Sequence, residues 1–104
     1  MDRDSAGALD FLQSWYAEQC NEDWEHGFSI RIATLDNPGW TVEIDLVDTD
    51  LEGRRLDKSK QEGPGGCWLW SWSDGEVFSA ACDERSLERA IRRFKDFAEQ
   101  VEQP

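Results

Sequence analysis

The spacing of large apolar residues changes twice along the chain, and this change constrains the fold more than any other feature. Between residues 8 and 20, apolar side chains recur every three or four residues, as an amphipathic helix requires. Over residues 28–46 and 67–82 they recur every second residue, which is typical of strands with one buried face. From residue 85 to 101 the helical spacing returns. The pattern predicts a helix at each end of the chain and strands between them.

The two helical segments differ in the quality of their signals. The stripe of the second helix contains Leu87, Ala90, Ile91, Phe94, Phe97, Ala98 and Val101. The stripe of the first contains Leu9, Phe11, Leu12, Trp15 and Tyr16. Ser5 or Asp4 is a candidate N-cap for the first helix, and Asn21 is a candidate stop. The second helix is the stronger prediction, because its basic residues lie outside the apolar stripe.

The first alternating region predicts a β-hairpin. Its two strands carry Phe28, Ile30 and Ile32, and then Trp40, Val42, Ile44 and Leu46. The turn between them is Asp36-Asn37-Pro38-Gly39, in which proline restricts φ and Gly39 is expected to take a positive φ. We expect these residues, from Phe28 to Ile44, to be buried against Leu12, Trp15, Ile91 and Phe94.

A second hairpin is predicted around Ser73-Asp74-Gly75, and its register is open. Trp68, Trp70 and Trp72 alternate and therefore share one face of a strand. A three-residue turn groups them with Phe78, Ala80 and Cys82, which makes them core residues beneath the helices. A two-residue Asp74-Gly75 turn groups them with Val77, Ser79 and Ala81 instead, and exposes them as an aromatic hot spot for a partner.

Residues 48–66 are polar and rich in glycine, and they predict a flexible loop, with Leu51 and Leu56 as tethers to the core. The element order is then α-β-β-β-β-α. We expect one α+β domain over residues 1–104, with its core in about 6–101. Its four-stranded antiparallel sheet carries both helices on one face.

Charge excludes several classes of partner. The net charge of −12 opposes binding to nucleic acid or to anionic membranes, since both require cationic surfaces. The acidity is concentrated in residues 1–52, with 13 acidic and 2 basic side chains, against 10 and 9 in residues 53–104. No apolar run is long enough to span a membrane, and the first residues lack a secretion signal. We therefore expect a cytoplasmic protein.

No recognisable catalytic, metal or cofactor motif is present. Cys20, Cys67 and Cys82 are too widely spaced for a zinc site or a disulfide framework, and are expected to be reduced thiols. His26 lacks a nucleophile motif and suits a structural role. Cys82 precedes a helix and allows an alternative function as a sulfurtransferase-like, thiol-dependent enzyme. The acidic Asp83 that follows disfavours the thiolate this chemistry needs.

Several segments together resemble the immunity protein 53 family of bacterial polymorphic toxin systems. They are Trp15-Tyr16 through Cys20, Asp23-Trp24-Glu25-His26, and Thr34-Leu35-Asp36-Asn37-Pro38-Gly39-Trp40, continued by Ile44-Asp45-Leu46 and Leu51-Glu52-Gly53. The resemblance implies a cytoplasmic antidote that binds a cognate toxin domain and has no enzymatic activity. It supplies no map of the contact residues. The alternative is another acidic binding or adaptor module.

Four acidic residues form a candidate docking edge. Glu43 and Asp45 alternate with core positions and should point away from the helices, and Asp48 and Asp50 follow the strand end. Such an edge would accelerate encounter with a basic toxin surface, for example that of a nuclease. Rim charges add little affinity by themselves, so a desolvated anchor is also needed. Trp24 is the candidate anchor, because it is predicted to lie outside the regular elements.

Overall fold

The structure, a computed structural model, describes residues 7–100. The α-helices are α1 (Gly7–Gln19), α2 (Trp24–Gly27) and α3 (Leu87–Glu99). The strands are β1 (Ile30–Leu35), β2 (Gly39–Asp45), β3 (Arg55–Glu62), β4 (Trp68–Asp74) and β5 (Val77–Cys82). A single turn of 3-10 helix spans Pro64–Gly66. All paired strands are antiparallel, and their order across the sheet is β1-β2-β5-β4-β3.

The predicted α+β class and the two long helices are confirmed. α1 and α3 pack against each other and against one face of the sheet, so that their apolar stripes enclose one core. Phe94 of α3 is fully buried, and its ring centroid lies 5.1 Å from that of Trp15 and 5.2 Å from that of Phe78. The candidate caps Ser5 and Asp4 lie outside the described residues, as does the stripe residue Val101.

The prediction of four strands is wrong, because part of the segment predicted as a loop forms β3. This strand pairs with β4 and becomes one edge of the sheet. Most of its side chains are exposed and polar, so it lacks the apolar alternation by which a strand is recognised. Charged residues are common on edge strands, where they discourage pairing with another chain. The tethers are confirmed: Leu51 is buried and Leu56 packs against the core.

The first hairpin forms as predicted, with differences at its ends. Val42 and Ile44 are fully buried. Phe28, Ile30 and Trp40 are only half-buried, and Ile32 on the edge strand β1 is 41% exposed. The expected positive φ at Gly39 is wrong, since this residue lies in the strand β2. Glycine is needed there for a different reason. A Cβ atom at this position would lie 2.4 Å from the carbonyl oxygen of Cys82 on β5.

The turn of the second hairpin consists of Gly75 and Glu76, one residue later than the two-residue turn considered above. The Asp74 carboxylate accepts hydrogen bonds from the amides of Glu76 (2.9 Å) and Val77 (3.0 Å). Gly75 has a φ of 93°, and its carbonyl accepts a hydrogen bond from the amide of Gly53 at 2.8 Å. Contacts within the turn and from the preceding segment therefore select the register.

This register decides the environment of the tryptophans. Trp70 lies opposite Ala81 and Trp72 opposite Ser79, which groups both with the residues that point away from the helices. The core side of β4 is instead occupied by Leu69, together with two buried serines. The interpretation of the tryptophans as core residues is wrong.

Candidate functional site

The sheet has one face covered by α1 and α3 and one face that no α-helix within residues 7–100 covers. We call the uncovered surface the open face. Its central residues are Arg31, Leu35, Thr41, Glu43, Asp45, Lys58, Lys60, Trp68, Trp70, Trp72, Ser79 and Ala81. β5 contributes only small side chains at its centre, so the rings on β4 stand above their neighbours on that strand.

The three tryptophans are half-buried and form the aromatic centre of the open face. The rings of Trp68 and Trp70 meet edge to face with their centroids 5.6 Å apart. The ammonium group of Lys58 lies 4.6 Å from the ring centroid of Trp72, and that of Lys60 lies 4.9 Å from the ring centroid of Trp70. These distances are within the range of cation–π attraction.

A cleft of about 590 Å³ adjoins the tryptophans at one end of the open face. Its apolar walls come from Leu35 on β1, Ala81 on β5, and Trp68 and Trp70 on β4. The half-buried thiol of Cys67 also lines it. All five strands contribute lining residues, because Thr41 of β2 and Glu62 of β3 also border the cleft.

The predicted acids Glu43 and Asp45 lie on the open face, where both bind Arg31. The guanidinium of Arg31 is 3.2 Å from a carboxylate oxygen of Glu43 and 3.1 Å from one of Asp45. Partial burial raises the pKa of Asp45, but hydrogen bonds from Arg31 and from the amide of Ser29 outweigh it and hold the pKa below its usual value. These two acids thus link β2 to β1 through Arg31, in addition to adding negative charge to the open face.

The other two acids lie in the turn segment that follows β2. Asp48 and Asp50 are both exposed. Asp48 has a positive φ of 65°, and its amide donates to the carboxylate of Glu52 at 3.0 Å. The structure therefore places the four acids in two settings: a paired set on the sheet and a solvated set beyond its end.

The location expected for Trp24 is wrong. This residue begins α2, and its side chain is only 3% exposed. Its indole nitrogen donates to the carbonyl of Val47 at 2.9 Å, and its ring packs edge-on against Trp15. A side chain held in this way stabilises the monomer. It would reach a partner only if α2 moved away from the core.

The two residues considered for catalysis, Cys82 and His26, differ in their exposure to solvent. Burial, followed by the charge of Asp83, raises the pKa of Cys82 to about 11, which opposes a thiolate near neutral pH. His26, by contrast, is exposed. Within residues 7–100, His, Cys, Asp and Glu side chains nowhere form a group of three suited to a metal ion. No helix in the same range has the length and apolar character needed to cross a membrane.

Lys58 and Lys60 are the candidate site residues that the sequence alone did not reveal. They lay within the segment predicted as a loop, and the relevant signal is their spacing of two, which places both on one face of a strand.

The fold and the open face together define a small α+β domain with a surface suited to protein contact.

Comparison with known families agrees with this class. The family model described as Immunity protein 53 matches residues 9–99, and the chain belongs to this family. The match extends over the C-terminal half, including β3, β4 and β5. No curated protein and no solved structure matched the chain.

Proposed function

We propose that this protein neutralises a cognate bacterial toxin domain by binding it in the cytoplasm, without catalysis of its own. The observation that carries the proposal is the family match over residues 9–99. The structure supports a binding mode of action in two ways. The open face offers half-buried aromatic side chains to a partner, and the buried Cys82 is poorly suited to act as a nucleophile.

The test is co-expression with the toxin domain encoded beside the gene. We expect cells that produce the toxin domain alone to stop growing, and cells that also produce this protein to grow and to yield a complex of the two. Purified toxin should lose activity in proportion to added protein, with an end point at a fixed molar ratio. Full inactivation by a small fraction of an equivalent, or a covalent change in the toxin, would instead show catalysis. Absence of both protection and complex would contradict the proposal.

We further propose that the acids Glu43, Asp45, Asp48 and Asp50 steer a basic toxin surface, such as that of a nuclease, toward this protein. Long-range attraction raises the rate of encounter, whereas screened contacts at the rim add little to affinity. Asp45 is unsuitable for testing this idea by substitution, because its carboxylate also accepts a hydrogen bond from the amide of Ser29, a backbone contact that Glu43 does not make.

The variant with Glu43→Gln, Asp48→Asn and Asp50→Asn removes three charges and retains polar side chains. Asparagine is also compatible with the positive φ of Asp48. We expect the association rate with the toxin to fall roughly tenfold at low salt, and the dissociation rate to change much less. The difference from the wild type should shrink as salt rises. Stopped-flow measurement of binding provides both rates.

A matched control removes three exposed acids elsewhere, with Glu18→Gln, Glu84→Gln and Asp96→Asn. If this control slows association as much as the first variant, the effect comes from total charge and the acids near β2 have no special role. If neither variant slows association at low salt, the toxin surface is not basic.

A further inference from the structure

The tryptophans and lysines of the open face place half-buried aromatic rings beside exposed cations that form no ion pair within residues 7–100. We propose, building on the function proposed above, that the cognate toxin docks on this end of the sheet. It places an apolar side chain in the cleft beside Trp68 and Trp70, and a carboxylate against Lys58 and Lys60.

The apolar part of the argument rests on the position of the aromatic rings. Large aromatic side chains are the commonest energetic centres of protein interfaces, especially when a pocket adjoins them. Here Trp68 and Trp70 line a cleft of about 590 Å³ together with Leu35 and Ala81. The indole nitrogen of Trp70 is buried and has no hydrogen-bond partner within residues 7–100. No hydrogen bond within the described fold therefore accounts for a tryptophan at this position.

The lysines supply the charge complementarity. The chain has 23 acidic residues against 11 basic ones, yet neither Lys58 nor Lys60 forms an ion pair within residues 7–100. Both side chains are exposed, and their ammonium groups lie over the tryptophan rings instead. A carboxylate from a partner could bind both lysines at once while the aromatic contact excludes water, which strengthens the ion pairs.

The charges at the two sides of the open face also set the orientation of the partner. Lys58 and Lys60 lie on β3, and Glu43 and Asp45 lie on β2, three strand spacings away, or roughly 14 Å. A toxin surface with an apolar projection between an acidic and a basic patch fits this arrangement in one direction only. Reversed docking would bring like charges together, which costs binding free energy.

Single-stranded nucleic acid is the other macromolecule that stacks on aromatic residues flanked by lysines. The net charge of −12 and the presence of Glu43 and Asp45 on the same face oppose its binding. The observations therefore favour a protein partner.

The test measures binding of the inactivated toxin domain by titration calorimetry. We expect Trp68→Thr with Trp70→Thr, and separately Lys58→Glu with Lys60→Glu, to raise the dissociation constant on the order of 100-fold. The lysine variant concerns two exposed side chains on an edge strand, so it should fold even if the tryptophan variant does not. Circular dichroism checks the fold of each.

Two matched controls place similar changes on other surfaces. Ile32→Thr removes an exposed apolar residue from the helix side of the edge strand β1. Arg85→Glu with Arg89→Glu reverses two exposed cations near α3. Both should leave the dissociation constant within about threefold of the wild-type value, as expected for residues outside the contact.

Lysine methylation, detected by mass spectrometry, tests the same surface in the wild-type protein. The toxin should protect Lys58 and Lys60, whereas Lys95, which pairs with Glu99 on α3, should react equally in the free and bound states.

The outcomes separate the two proposals. Suppose that the wild type binds the toxin and allows cells to grow, but the toxin shields neither lysine from methylation. If the folded lysine variant also binds normally, the toxin docks elsewhere and this inference is overturned. If the wild type does not bind the toxin at all, the proposed function fails. Tight binding of an oligothymidine to the wild type, lost in the tryptophan variant, would assign the face to nucleic acid and would also overturn the inference.

Discussion

Replacement of Phe94 by alanine is expected to lower the free energy of unfolding by about 4 kcal/mol. Phe94 is fully buried, and its ring contacts those of Phe11, Trp15, Phe78 and Phe97. It therefore joins α1, α3 and β5 at one point. Truncation removes buried apolar surface and leaves a cavity that four rigid rings cannot easily fill.

Denaturation in urea, followed by circular dichroism, measures this change. Small domains commonly have unfolding free energies of 5–15 kcal/mol, so the expected loss is a large share of the total. Phe11→Ala is the control, since Phe11 is only half-buried and should cost clearly less. Equal losses at the two positions would mean that the aromatic cluster collapses around the cavity at Phe94, contrary to the packing described.

Replacement of Gly39 by alanine is expected to lower the free energy of unfolding by at least about 2 kcal/mol, because the new methyl group overlaps the backbone. Its Cβ would lie 2.4 Å from the carbonyl oxygen of Cys82 and 3.2 Å from a methyl group of Leu35. The first contact is with the neighbouring strand, so relief requires β2 and β5 to separate where they begin to pair. The melting temperature should fall by roughly 10 °C.

Gly27→Ala provides the control for this experiment. A Cβ at Gly27 meets nothing within 4 Å, and the backbone there does not require a positive φ. Its melting temperature should stay close to that of the wild type. A mild effect of Gly39→Ala, equal to that of Gly27→Ala, would show that the strand ends adjust easily and that the close approach of the Cys82 carbonyl does not require glycine at position 39.

Local periodicity was sufficient to predict the long helices and both hairpins. The spacing of Ile91 and Phe94 determines which side of α3 is apolar, and the alternation of Val42 and Ile44 determines which side of β2 is buried. The same alternation predicts that Glu43 and Asp45 point away from the helices. Each of these inferences uses neighbours within a few residues, and the physical cause, the geometry of one helix or one strand, is equally local.

The missed features depend on residues far apart in the chain. β3 is a strand because it pairs with β4, and its mostly exposed, polar side chains lack the apolar alternation that identifies a strand. The turn at Gly75 is positioned partly by the amide of Gly53. At the other end of β4, the Asp83 carboxylate accepts a hydrogen bond from the amide of Trp68 at 2.8 Å. Trp24, in turn, is buried against Trp15, and the carbonyl of Val47 accepts a hydrogen bond from its indole nitrogen.

The sequence by itself thus determined the α+β class, the helix-covered face of the sheet, the excess of negative charge and the family resemblance. The tertiary structure alone decided that Trp68, Trp70 and Trp72 face away from the core and that Lys58 and Lys60 lie over them. The physical reason is strand register. A shift of one residue exchanges the two faces of a strand, and the hydrogen bonds that select between such registers join segments that are distant in the chain.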